Sequence, residues 1–353
     1  MSSEELLRVL ELGSDLEASA VPAEDEAFLR LLAGSCFIRQ RGRDSSRLRL
    51  VSTLLHGNEP SGLRAVQRWL RSGRQPEVDV LFFFGAVETA LGPPLFDRRV
   101  RPGGSDMNRC WLPPFANTNA EARIAHEALR LMRESGAESL VDIHNNTGNN
   151  PAYGVGPVPG AAELNLVALF GRRFVHSPLR LGTLVEATCE DFPSVTVECG
   201  RSGDPAADEI AFEGITRYLE ADEHETRRIV VERMSVLTDP IRVCVARNVS
   251  LAFGDGPIED VDFTVALDVD RHNFEQMSAG LPIGWLGDRG VWPVEALDEA
   301  QRDRSREFFE LRNGHLVTRR PLIPIMMTTN RANALADCLF YVVQQGEEIR
   351  GDA

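Results

Sequence analysis

His56 and Glu59 stand three residues apart in LLHGNEPSG, just past an apolar run and just before a helical pattern. A turn can bring such a pair onto one divalent ion, and imidazole with carboxylate suits zinc. The spacing alone is not specific, because so short a pattern recurs by chance. Its place carries more weight, since ligand sites of open α/β sheets lie beyond the carboxyl ends of strands. His144 closes a second apolar run, LVDIHNN, with Asp142 two residues earlier and so on the same sheet face. It reads either as a hydrogen-bonded packing histidine or as a third ligand, leaving a fourth position for water as catalytic zinc requires. In the second case Asp142 would orient a ligand imidazole through a hydrogen bond.

A third run, TVECG, ends on Glu198. A carboxylate there is costly to bury alone, so it is either one half of a structural ion pair or a general base beside a metal. In RPGGSDMNRCW, Arg109 offers a two-pronged donor for a carboxylate and Asn108 both donates and accepts. The same DMN is also an ordinary turn, with Arg109 then a solvated surface residue.

These residues need strand ends and loops to carry them. Residues 4–33 read as helical, and 35–57 as two strands joined by a polar turn at 42–46. A helix is expected from Pro60-Ser61, since Leu63, Val66, Trp69 and Leu70 share one face. VDVLFFFGAV reads as a buried strand of the parallel-sheet type. A long loop at 91–118 precedes a helix capped by Asn119, and loops of that length are usually functional. Strands at 139–146 and 196–200 and a helix over 205–222 complete an alternation that implies an α/β sheet. The fold expected is mixed and mostly parallel, flanked by helices. After the charged stretch at 221–234, β-branched runs and glycine turns indicate a smaller β-rich part. The division expected is 1–225, with 1–45 as a helical extension and first strand, and 226–353.

Composition removes whole classes. With 43% hydrophobic and 26% charged residues, the 353-residue chain has the make-up of a globular protein. No apolar run is long enough to span a bilayer, and the acidic start lacks the pattern of a signal peptide, so a cytoplasmic protein without membrane partner is expected. The net charge of −15 argues against nucleic acid. There is no lysine, which excludes Schiff-base and Walker-type chemistry. The six cysteines show no CxxC pairing, so neither disulfides nor a thiolate zinc site are expected; Cys110 and Cys199 lie beside the candidate residues.

HGNEPSG, DMNR, DIHNN and VECG, in that order, resemble the succinylglutamate desuccinylase/aspartoacylase family, relatives of the zinc carboxypeptidases. The resemblance is clear over about residues 47–225 and fainter through HNFEQMSAGLPIG. It implies a carboxypeptidase-like fold and a zinc-dependent amidohydrolase that removes an acyl group from an amino-acid nitrogen, with water activated by a glutamate. By position, His56, Glu59 and His144 match the zinc ligands of one ion per chain, and Glu198 the general base. Asn108 and Arg109 match the pair holding the substrate carboxylate, Arg101 an arginine that polarises the scissile carbonyl, and Asp142 the carboxylate behind a ligand. Thr188 stands where aspartoacylase carries an arginine for the aspartate side chain, which puts N-acetylaspartate in doubt. Arg180 or Arg201 could replace that arginine.

The partner expected is a small N-acyl amino acid or related carboxylate. A zinc carboxypeptidase acting on small peptides and an inactive metal-binding protein stand as alternatives. The former needs an open groove, the deacylase a pocket closed by the C-terminal part. The oligomeric state, a homodimer included, is not specified by the sequence.

Overall fold

The structure is a computed structural model that describes residues 7–113, 119–178, 180–222, 233–298, 300–343 and 346–349. In chain order its first part comprises β1 (Arg8–Glu11), α1 (Asp25–Leu32), β2 (Cys36–Gln40), β3 (Asp44–Thr53), α2 (Ser61–Arg71) and β4 (Val78–Phe84). There follow α3 (Val87–Ala90), α4 (Ala120–Glu134), β5 (Leu140–Asn146), β6 (Tyr153–Gly156), α5 (Ala161–Ala168) and β7 (Arg173–His176). Then come α6 (Leu184–Thr188), β8 (Ser194–Arg201), α7 (Pro205–Glu220) and β9 (Met234–Thr238).

These strands form a ten-stranded sheet in the order β1-β2-β4-β3-β5-β8-β6-β7-β9, with strand Gly346–Ile349 on the far edge. Pairings β4-β3-β5-β8 are parallel, while β2-β4 and β8-β6 are antiparallel, so the sheet is mixed and mostly parallel as expected. Alternate residues of the central strands serve two cores. Val51, Phe82 and Val141 pack with Leu63, Val66 and Trp69 of α2. Leu50, Phe83 and Leu140 pack with Ala125, Leu129 and Met132 of α4 on the other face. Burial on both faces is why VDVLFFF is continuously apolar. Asn119 caps α4 by accepting from the Ala122 N–H, and Asp204 caps α7 through Ala206 N–H, with Pro205 in the first turn.

The later strands build two smaller sheets. One runs Val294–Leu297, Ile241–Val245, Phe340–Val343, Ile323–Ile325, all antiparallel; the other has five strands, and a separate core joins them. The expected boundary at 225/226, and most of the charged stretch at 221–234 that spans it, lie outside the described residues. Beyond it, β9 and Gly346–Ile349 return to the large sheet.

Three expectations differ. Residues 4–33 are helical chiefly over Asp25–Leu32; Arg8–Glu11 is instead an edge strand parallel to β2. β2 and β3 are not a hairpin, because β4 lies between them. β6, α5, β7 and α6 were not anticipated, being short elements of four to eight residues. Among the described residues no helix is long and apolar enough to cross a membrane.

Candidate active site

Parallel strands bring their carboxyl ends to one edge, and three of the expected residues meet there. In the β3-β5-β8 ladder Thr53 pairs with Ile143, and His144 with Glu198. Past β3, Leu54 takes a left-handed conformation (φ 59°), which turns the chain so that HGNE folds back over the sheet edge. Gly57 is required there: a Cβ would stand 2.7 Å from the Arg98 carbonyl oxygen, whereas its N–H donates to Arg99 O at 3.0 Å.

One donor atom each of His56, Glu59 and His144 lies within 4.8 Å of the others, and all three residues are buried. Glu59 Oε1 is 2.9 Å from His56 Nδ1, and Oε2 is 2.7 Å from His144 Nδ1. Each imidazole has its other nitrogen against a carboxylate: His56 Nε2 on Asp106 at 2.9 Å, His144 Nε2 on Asp142 at 2.8 Å. With the Nε2 protons donated outward, two Nδ1 lone pairs converge on Glu59 oxygens. Acceptors facing acceptors repel unless protons or a cation sit among them, so this donor set fits a divalent metal, and its nitrogen–carboxylate composition fits zinc. Burial opposes charge on Glu59, but the imidazoles hold its carboxyl well below its ordinary range. His144 is likewise raised above the ordinary histidine value against its burial, by Asp142 and Glu59. Asp106 is held low, against burial, by His56 and Arg99.

Glu198 faces the same cavity. Its Oε2 is buried without a hydrogen-bond partner among the described residues, as is the Tyr153 hydroxyl on the strand paired to it. Burial, joined by the charge of Glu59, pushes the Glu198 carboxyl up to about 7, with His144 and His56 pulling the other way. That is the range of a general base. The cavity, open to solvent on one side, has a volume of about 530 Å³ and is lined by the three candidate ligands, Glu198, Asn108 and Arg109 among others. Asn108 is buried and its Oδ1 accepts from Leu184 N–H at 2.9 Å, which fixes its side chain where it lines the cavity; Arg109 is an exposed lining residue.

Arg101 is not brought to this cavity. Its guanidinium pairs with Glu121, and both line a neighbouring cavity. Arg99 stands at the site instead, 3.2 Å from Glu59 Oε1 and 3.1 Å from Asp106 Oδ2. Thr188 also lies elsewhere: it is fully buried, and its hydroxyl bonds Leu184 O and Ser194 Oγ. Arg180 and Arg201 are exposed and do not line the cavity. Cys110 and Cys199 are buried free thiols, pushed up by burial away from reactivity. Asp106, Tyr153 and Tyr341 line the cavity and were not anticipated. The first stood in plain view in the DMNR motif; Tyr341, on a strand of the C-terminal part, had no local signal.

No protein-family model matches the chain. A probable aspartoacylase of Synechococcus is 32% identical over 145 residues, which are 39% of this chain and 41% of that protein. The chain thus matches about two-fifths of the curated relative. Murine aminoacylase 3 superposes with a TM-score of 0.56 at 15% identity, covering 87% of this chain and 98% of that one. A succinylglutamate desuccinylase/aspartoacylase of Rhodobacter sphaeroides gives 0.56 at 17% identity, covering 88% of both chains. The fold is that of the succinylglutamate desuccinylase/aspartoacylase proteins. The fold is thus the one that the resemblance carried by the four motifs implies.

Proposed function

We propose that the chain is a zinc-dependent amidohydrolase that cleaves the amide bond of an N-acyl amino acid, with 1–225 as its catalytic part and 226–353 closing the site. The observation that carries this reading is the convergence of His56, Glu59 and His144 beside a buried, unpartnered Glu198 oxygen in one cavity. The three residues would hold zinc, with Asp106 and Asp142 fixing the two imidazoles. When bound, zinc would supply a Lewis acid that acidifies water and polarises the amide carbonyl. Glu198 takes a proton from the attacking water and returns it to the leaving nitrogen, a task that suits a carboxyl near 7. Asn108 and Arg109 hold the substrate carboxylate through charge-assisted hydrogen bonds. Ile325, Met326 and Tyr341 roof the cavity from the C-terminal part, which favours a small acyl amino acid over a peptide laid in an open groove.

Protein purified without added metal is expected to carry near-stoichiometric zinc by elemental analysis, and a His56→Ala/His144→Ala variant to lose it. Glu198→Gln is expected to keep zinc and to lose at least about a hundredfold in turnover of N-acyl amino acids. Zinc content unaltered by the double variant, or activity of Glu198→Gln within a few-fold of wild type, would sink the assignment.

A further inference from the structure

The sheet floor of the cavity is laid in two rows. His144, Glu198 and Tyr153 pair across β5, β8 and β6, and make the first row. Two residues away on each strand, back along β5 and β8 and forward along the antiparallel β6, hence on the same face, Asp142, Thr196 and Val155 pair in the second row, which Val175 of β7 extends. The second row therefore begins polar under the candidate metal ligands and becomes aliphatic toward β7. Val155 and Val175 of this row belong with Ile325, Met326 and Tyr341 of the C-terminal part to one apolar cluster, and all five line the cavity. Floor and roof thus form an apolar lobe beside the candidate catalytic row.

The fixed charges around that lobe are unfavourable to an anion. Among the described lining residues the arginines are Arg99 and Arg109, and Arg99 is engaged by Glu59 and Asp106. The acidic side chains of the far wall, Glu186 and Asp337, are both already engaged. Glu186 accepts from the Leu181 and Gly182 N–H groups and the Thr183 hydroxyl, and Asp337 pairs with Arg242 at 2.6 Å. Among the described lining residues one arginine, Arg109, thus remains for one carboxylate.

Resting on the deacylase reading above, we infer that the substrate is a monocarboxylate bearing an apolar branched or aromatic group, seated between Val155/Val175 and Ile325/Met326. A second carboxylate would enter that lobe without a partner cation, which is unfavourable in a partly desolvated site. The apolar group can belong to either side of the amide, and the test separates the two.

The zinc-loaded protein is assayed for kcat/KM on N-acetylglycine, N-acetyl-L-leucine, N-isovalerylglycine and N-acetyl-L-aspartate. N-acetyl-L-leucine or N-isovalerylglycine should exceed N-acetylglycine by at least about tenfold, the scale of a few methylenes in an apolar pocket, and whichever does so names the side that fills the lobe. N-acetyl-L-aspartate should fall below N-acetylglycine. Val155→Thr, nearly isosteric at a half-buried position, should shrink the preference for the apolar compound several-fold. N-acetyl-L-aspartate as the best substrate, four equal rates, or a preference untouched by Val155→Thr would each overturn the inference while leaving the deacylase reading standing. Failure to hydrolyse any of the four would overturn that reading, and this inference with it.

Discussion

Arg99 and Arg101 stand two residues apart in one loop and have different tasks. Arg99 bridges Glu59 and Asp106, so it neutralises charge directly behind a candidate ligand. Arg101 binds Glu121 in the first turn of α4, away from the cavity. Arg99→Ala is therefore expected to lower kcat/KM by at least about tenfold, since two largely buried carboxylates lose a charged donor. Arg101→Ala should leave kcat/KM within about threefold and cost no more than about 1 kcal/mol of stability, because Arg101 is exposed and water screens its pair with Glu121. Kinetics and thermal melts of the two variants check this, and a reversed pattern would return Arg101 to the active site.

Where β4 lies between β2 and β3, the turn joining the latter two is tied to Asp79, which is 1% exposed. Asp79 accepts from Gly42 N–H at 2.9 Å and Ser45 Oγ at 2.8 Å, and pairs with Arg39 and Arg41. Burial alone would raise its carboxyl; the Gly42 N–H, the Ser45 hydroxyl and Arg39 outweigh it and hold the carboxyl below its ordinary value. Asp79→Asn is expected to cost about 1–3 kcal/mol at pH 7. Because the folded protein holds this carboxyl below its unfolded value, the advantage of wild type is complete above about pH 4 and shrinks as the pH falls further. Denaturant titrations of both proteins at pH 7 and pH 3 check this; a gap that widens in acid would contradict it.

Across the whole molecule, the site is closed by a junction between the loop after β5 and the segment after strand Ile323–Ile325. Asn273 supplies the clamp: its Nδ2 donates to Met327 O and Asn149 O, and its Oδ1 accepts from Met327 N–H at 2.8 Å. Asn150 Oδ1 accepts from Met326 N–H, and Thr147 meets Thr328 at 2.9 Å. Gly148 permits the contact, since a Cβ there would lie 1.9 Å from Met327 O. The clamp touches none of the candidate ligands, so Asn273→Ala should raise KM by about tenfold while kcat changes less and zinc content stays the same. Asn273→Asp should not restore KM, because it lacks the amide donor. A purely structural role would lower the melting temperature and leave KM alone.

His56, Glu59, His144 and Glu198 were legible in the chain because each follows an apolar run, and the end of a buried parallel strand is where such a sheet exposes side chains to a ligand. Helices α2 and α4 were legible from their periodic faces, and α4 also from its Asn119 cap, which are local properties. What local properties could not supply was the partner across space. The order that places β4 between β2 and β3 depends on pairings between distant segments. β6 and β7, four residues each, are strands by virtue of their neighbours. In the loop at 91–118 no period marks which arginine turns inward, so the choice of Arg99 over Arg101 came from packing against Gly57. Thr188, aligned by count from Glu198, proved to face the core because α6 turns it there. The apolar lobe joins Val155 to Ile325 across 170 residues, and only the closed junction brings them together. Short-range chemistry thus set which residues could act, and long-range pairing set which of them meet and what they enclose.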